Sequence, residues 1–192
     1  MTQSPHIRSY SWEEIVASVA NLNDKVRQLK VQPTVIVAVL RGGAFPGLLL
    51  SHALGIRQLY ALTVRSTVDE AARAERHSVP TIEGTNGLPD LSAEDVLVVD
   101  DVTNTGKTLM AAMDAIRTAR HPRSIASGCL IWDTVPTEGS TVLTLCAADL
   151  WVDTVHAWAH FPWESPLGTT AKQGLVHVEA SRTTATVRLE RA

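Results

Sequence analysis

Ile15, Val19, Leu22, Val26 and Leu29 recur at alternating steps of four and three, the spacing of one face of an α-helix. Ser11 and Glu14 in front of this series have capping-box spacing, so the pattern predicts an amphipathic helix that Pro33 closes. Val35 to Leu40 is then an unbroken apolar run, as in a strand covered on both faces. Arg41, Gly42 and Gly43 interrupt it, Pro46 suits a helix start, and Leu48–Leu54 reads as a helix with Gly55 as its C-cap. Leu59–Val64 predicts another strand. From Arg65 to Asp95 the chain is charged and carries Gly84, Asn86, Gly87 and Pro89 among few apolar residues, which predicts a long exposed loop, with room for short strands, of the kind that closes over sites.

The apolar pattern resumes at Val96–Val99, a strand running into Asp100 and Asp101, with a turn from Thr103 to Gly106 and a helix over Lys107–Arg120. Ser124–Trp132 predicts a further strand, Leu143–Leu145 and Asp149–Val152 weaker ones, and Val155–Ala159 precedes Phe161, Pro162, Trp163 and Glu164. Strands alternating with helices predict an α/β fold with a mostly parallel sheet covered by helices on both faces. The remainder reads as one or two strands, Leu175–Val178 and Thr186–Leu189, so residues 1–164 are expected to form one domain and 165–192 a β-type extension.

Composition narrows the function classes. A chain of 192 residues suits one domain with a small extra lobe. With 17 Lys and Arg against 20 Asp and Glu it carries a net charge of −3, so a basic nucleic-acid-binding surface is not expected. Cys129 and Cys146 each sit in an apolar stretch and are expected to be buried thiols. No apolar run approaches the roughly 20 residues that span a bilayer, and Met1–Tyr10 lacks the basic flank and apolar run of a leader. The expected location is therefore the cytoplasm.

The chemistry concentrates in Val96–Leu109, where a buried strand passes into a helix. Gly106, Lys107 and Thr108 match the end of a nucleoside-triphosphate P-loop, but the glycine it needs five residues earlier is Asp101. What remains is a Thr/Gly-rich turn at a helix N-terminus, whose amides and dipole favour a phosphate monoester. Thr103, Thr105 and Thr108 add hydroxyl donors. Asp100 and Asp101 just before it are acceptors suited to vicinal hydroxyls or to a nearby metal. Phosphate and diol together describe a ribose 5-phosphate.

These residues resemble the type I phosphoribosyltransferase family, whose motif is a strand, two acids and a Thr/Gly-rich phosphate loop. The resemblance implies a doubly wound, mostly parallel sheet with a small hood and a flexible loop. It implies that Asp100 and Asp101 hold the ribose hydroxyls and that Thr103, Asn104, Thr105, Gly106, Lys107 and Thr108 form the 5-phosphate loop. Leu40, Arg41, Gly42 and Gly43 look like the family's diphosphate loop, with a non-proline cis peptide expected at Arg41–Gly42; where relatives carry Ser-Tyr or a lysine, this chain has Arg65, Ser66 and Thr67, with Arg65 a candidate diphosphate contact. Trp158 to Glu164 resembles the late segment of bacterial and archaeal xanthine-guanine and hypoxanthine phosphoribosyltransferases. By position Trp158 would stack on the base, the Ala159 backbone would read its edge, and Glu164 would approach Mg2+ together with the acid pair. The implied partners are phosphoribosyl diphosphate and a nucleobase-like acceptor, in a homo-oligomer, with Mg2+ as cofactor.

Two positions depart from that pattern. Where 6-oxopurine enzymes of the family carry an aspartate proposed to take the base proton, this chain has Asn104, an amide without useful basicity. Where they carry a lysine that donates to the 6-oxo group, it has Trp132 and Asp133. A carboxylate facing an oxo group is unpaired and repelled, so Asp133 favours a base with an exocyclic amino group. Both departures fall on the base side, which also admits a non-catalytic nucleotide-binding regulator or a tailoring transferase with an unusual acceptor. His156 and His160 are four apart, metal-ligand spacing only on a helix, and the expected strand and loop keep them from converging.

Overall fold

The structure, a computed structural model, describes residues 6–67, 76–135 and 148–164. In chain order its elements are β1 (Ile7–Ser9), α1 (Trp12–Arg27), β2 (Val35–Leu40), α2 (Ala44–Leu54), β3 (Gln58–Thr67), β4 (Arg76–Glu83), β5 (Asp95–Thr103), α3 (Lys107–Arg120), β6 (Ser124–Asp133), β7 (Leu150–Val155) and β8 (Trp158–His160). Single 3-10 turns lie at Thr85–Gly87 and Pro162–Glu164.

Six strands form one sheet in the order β4-β3-β2-β5-β6-β7, parallel throughout except for the β3–β4 pair. Alternate residues of the central strands feed two cores. Val35, Val37, Val39, Val96 and Val98 pack with Leu109, Ala112, Met113 and Ile116 of α3. Ile36, Leu97 and Val99 pack with Ile15, Val19, Leu22 and Val26 of α1 and with Leu50 of α2. The sheet is therefore covered on both faces, as the continuous apolar runs predict. Ser11 caps α1 through the full capping box: the Glu14 N–H donates to Ser11 Oγ (3.2 Å), and the Ser11 N–H donates to Glu14 Oε2 (2.8 Å).

Several boundaries differ from the sequence reading. α2 begins at Ala44, two residues ahead of the Pro46 that marks a helix start, and Pro46 lies inside its first turn where a missing N–H costs nothing. β5 continues past Asp100 and Asp101 to Thr103, two residues further than the sequence reading takes it. The stretch 65–95 is not simply an exposed loop: β3 runs on to Thr67, β4 returns antiparallel, and Leu88 and Leu91 are buried in the α3-side core. β1, which no periodicity marks, pairs parallel with β8 in a separate two-stranded sheet. Asp149–Val152 and Val155–Ala159 resolve into β7 and β8 with shifted ends. The strands expected at 143–145, 175–178 and 186–189, the extension 165–192, and Cys146 lie outside the described residues; Cys129 is buried, as its apolar stretch predicts.

Candidate active site

β2 and β5 are neighbours at the centre of the sheet, and their crossovers leave in opposite directions: α2 carries the chain from β2 out to β3, and α3 carries it from β5 to β6. The two helices lie on opposite faces, so a crevice opens at the carboxyl ends of β2 and β5, where open α/β sheets collect ligands. A cavity of about 200 Å³ occupies it.

Two loops frame this crevice. The Arg41–Gly43 loop lies against β5 so closely that a Cβ on Gly42 would stand 2.1 Å from Asp101 Oδ2, and one on Gly43 would stand 2.4 Å from the Val99 carbonyl oxygen. Glycine is required at both by that approach. The one cis peptide among the described residues is Leu40–Arg41 rather than Arg41–Gly42, one bond earlier than the resemblance implies. On the other side, Gly106 (φ +75°) turns the chain into α3, and no side chain caps that helix. The first-turn amides of α3 are thus left for a ligand. Thr105 Oγ1 beside them is buried without a partner, and Thr103 is buried while Lys107 is exposed.

Asp100 and Asp101 are both buried. The Asp101 N–H donates to Asp100 Oδ1 (3.0 Å) and the Val102 N–H to Asp101 Oδ1 (2.7 Å). Burial pushes the Asp100 carboxyl well above the usual carboxylate range, and the charge of Asp101 adds to this. Burial likewise raises Asp101, to about 6, against the Val102 N–H that lowers it and with the help of the Glu164 charge. Glu164 lines the same cavity while its Oε2 accepts the Phe161 N–H (2.8 Å), which holds the 3-10 turn.

The opposite wall is built by β8 and the end of β6. The Trp158 N–H donates to His6 O (2.8 Å) and the Tyr10 N–H to His160 O (3.0 Å), with Ala159 in register with Arg8. Along a strand these groups alternate in direction, so the Ala159 N–H and C=O point away from β1, and Ala159 and Trp158 line the cavity. Asp133 lines it too, buried, with Oδ1 accepting the Val135 N–H (2.8 Å). Trp132 does not: it packs edge-on against Trp151 with ring centroids 5.6 Å apart. Trp163 stacks between Phe161 (4.8 Å) and Phe45 (5.1 Å), a packing role.

The remaining sequence candidates lie around this centre. Arg41 and Lys107 sit at the rims of the two loops without lining the cavity, whereas Asn104, Gly106 and Thr108 do line it. Arg65 stands exposed on β3 and pairs with Glu83 at 3.8 Å instead of turning into the crevice. His156 and His160 fall on a turn and a strand, and among the described residues no three His, Cys, Asp or Glu side chains gather closely enough to hold a metal unaided. The sequence reading gives Asn104 a place in the phosphate loop and an amide without useful basicity. Its Nδ2 in fact donates to the main-chain oxygens of Asp133 (2.7 Å) and Val135 (2.8 Å), a cross-loop contact that no local pattern signals.

Comparison with known proteins places this geometry. The sequence profile of the phosphoribosyl transferase domain matches residues 10–166. A xanthine-guanine phosphoribosyltransferase from Idiomarina loihiensis is 30% identical over 158 residues, 82% of this chain and 86% of that protein. Among solved structures, a purine phosphoribosyltransferase from Pyrococcus horikoshii superposes with a TM-score of 0.63 at 29% identity, covering 83% of this chain and 95% of that one. The xanthine-guanine-hypoxanthine phosphoribosyltransferase of Helicobacter pylori shares the fold, with a TM-score of 0.66 at 23% identity over 83% of this chain and 94% of that one.

Proposed function

Because the chain belongs to the phosphoribosyl transferase family, we propose that it transfers the phosphoribosyl group of phosphoribosyl diphosphate to a ring nitrogen of a purine base and releases diphosphate. One observation carries the reading: a buried acid pair, a glycine loop pressed against it and an uncapped helix start meet at one switch point. The purine-directed activities of the Idiomarina and Pyrococcus relatives support the acceptor class.

Each part has a chemical task. The amides of Thr103 to Thr108 and the hydroxyls of Thr105 and Thr108 receive the 5-phosphate. Asp100 and Asp101 accept hydrogen bonds from the two ribose hydroxyls. As the bond from the anomeric carbon to diphosphate breaks, the electron pair leaves with diphosphate and the carbon gains oxocarbenium character. The acid pair stabilises that positive charge while the base nitrogen's lone pair forms the new bond and the proton of the base's ring N–H passes to the departing diphosphate or to solvent. The Arg41–Gly43 loop receives the departing diphosphate, with Arg41 at its rim to offset the charge.

Mg2+ enters as part of the substrate, carried by the diphosphate. The described residues do not form a metal cage of their own, but Asp100, Asp101 and Glu164 make one wall of the cavity negative, and the Glu164 charge raises Asp101. A divalent cation relieves that repulsion. The phosphoribosyl chemistry occupies residues of the first 164, and its setting is the cytoplasm; among the described residues no helix is long and apolar enough to cross a membrane.

The base side refines the substrate. Among the described residues no Lys or Arg lines the cavity, while Asp133 does, so the wall offers acceptors and favours a purine with an exocyclic amino group. Asp133→Lys supplies the missing donor. Nucleoside 5′-monophosphate formation from phosphoribosyl diphosphate, Mg2+ and adenine, hypoxanthine, guanine or xanthine should shift toward the oxopurines in this variant, by about tenfold for one recovered charged hydrogen bond. An unchanged base preference would contradict the role of Asp133. Tight phosphoribosyl diphosphate binding with no nucleotide formed from any base would favour the binding-module reading instead.

A further inference from the structure

Asn104 belongs to the phosphate loop by its backbone, yet its side chain reaches across to the other wall. Nδ2 donates to Asp133 O and Val135 O at 2.7 and 2.8 Å. Both acceptors are carbonyl oxygens, so the orientation of the amide is fixed: the nitrogen must face them, and Oδ1 must face away. The segment it holds is anchored on its far side as well. The Thr134 N–H donates to Val155 O (2.8 Å), and Thr134 Oγ1 donates to the same oxygen (3.0 Å). Within the segment, the Val135 N–H fixes Asp133 Oδ1. The position of the Asp133 carboxylate in the cavity is thus tied to β7 on one side and to the phosphate loop on the other.

The geometry points to Asn104 as a positioning residue that couples the two half-sites: from its place in the Thr103–Thr108 loop, the amide sets the Asp133–Val135 main chain and with it the discrimination between bases. This inference rests on the phosphoribosyl reading above and concerns how that site chooses its base. It also explains the residue type. A carboxylate at position 104 would turn oxygens toward two carbonyl oxygens, so the aspartate that the family resemblance implies there is incompatible with this packing. Asparagine here is a strut rather than a vacated proton acceptor. Its one remaining polar atom, Oδ1, can accept from a ring N–H of the base but cannot take the proton.

Equilibrium titration with three ligands separates the half-sites. Ribose 5-phosphate reads the phosphate loop alone, while adenosine and inosine 5′-monophosphates read the loop and the base wall together. In Asn104→Ala the main-chain amides of the loop persist, so ribose 5-phosphate affinity should stay within about twofold. Adenosine 5′-monophosphate should weaken about tenfold, and the ratio between the two nucleotides should move toward one. Asn104→Asp should behave as the alanine variant or worse. Tighter nucleotide binding or faster turnover in Asn104→Asp would overturn the inference, because the position would then be a proton-acceptor site that lacks its acid. Equal weakening of all three ligands in both variants, or no change in the nucleotide ratio, would overturn it too. If the native chain binds none of the three, the phosphoribosyl reading itself fails and this inference falls with it.

Discussion

Asp101 is the residue where structure and chemistry conflict most openly. Its carboxyl is raised to about 6 from an ordinary 3.8 by burial, so the folded chain retains a proton that the unfolded chain has already released between those two values. The contribution of this group to stability therefore falls as pH rises across that window and stays lowered above it. Asp101→Asn removes the penalty. Urea unfolding should find the variant more stable by roughly 2–3 kcal/mol at neutral pH, with the gain vanishing below the ordinary carboxylate value; equal stability at both ends would contradict the assignment. The same variant should lose transfer activity, since a ribose acceptor and a stabilising charge go together. Gly42 makes the complementary case. A methyl group there would stand 2.1 Å from Asp101 Oδ2, so Gly42→Ala must displace the acid or the loop. Its affinity for phosphoribosyl diphosphate should drop by at least about tenfold and its melting temperature should fall, the latter measured by calorimetry.

At the scale of elements, the less conspicuous contributor is β1. Its three exposed residues pair with β8, and that pairing aims the Ala159 backbone into the cavity. Arg8 stands in register with Ala159, lies over the Tyr10 ring at 4.6 Å and pairs with Glu14. Arg8→Pro interrupts the ladder, and the KM for the base should rise several-fold with phosphoribosyl diphosphate affinity unchanged; a rise in both would place the effect in the main sheet. β1 was illegible in the sequence because it buries no side chain and so leaves no apolar period. β4 was legible only as one of the short strands that the loop reading leaves room for, because an antiparallel edge strand with charged positions reads much like loop. α1, β2 and α3 were legible because each buries a regular face, and the capping box of Ser11 and Glu14 formed as spaced. α2 starts at Ala44, two residues before the Pro46 that suits a helix start, because neither Ala44 nor the exposed Phe45 carries a start signal of its own.

For the whole molecule, the central fact is the reversal of connection between β2 and β5, which opens the crevice. The acids and both loops were legible because each is a contiguous motif whose residue types state its chemistry. The coupling of the walls was not, since Asn104 meets the main chain of residues 133 and 135 only after the sheet has formed. The same holds for Trp132 and Asp133: only the register of β6 decides that Trp132 packs on Trp151 and that Asp133 faces the cavity. The account as a whole stands on phosphoribosyl transfer at this crevice. Its most direct test is diphosphate release from phosphoribosyl diphosphate and Mg2+ with a purine base, comparing the native chain with a folded Asp100→Asn variant. The account predicts base-dependent release by the native chain and its loss in the variant. Release that ignores the base, or that survives the loss of Asp100, would contradict it.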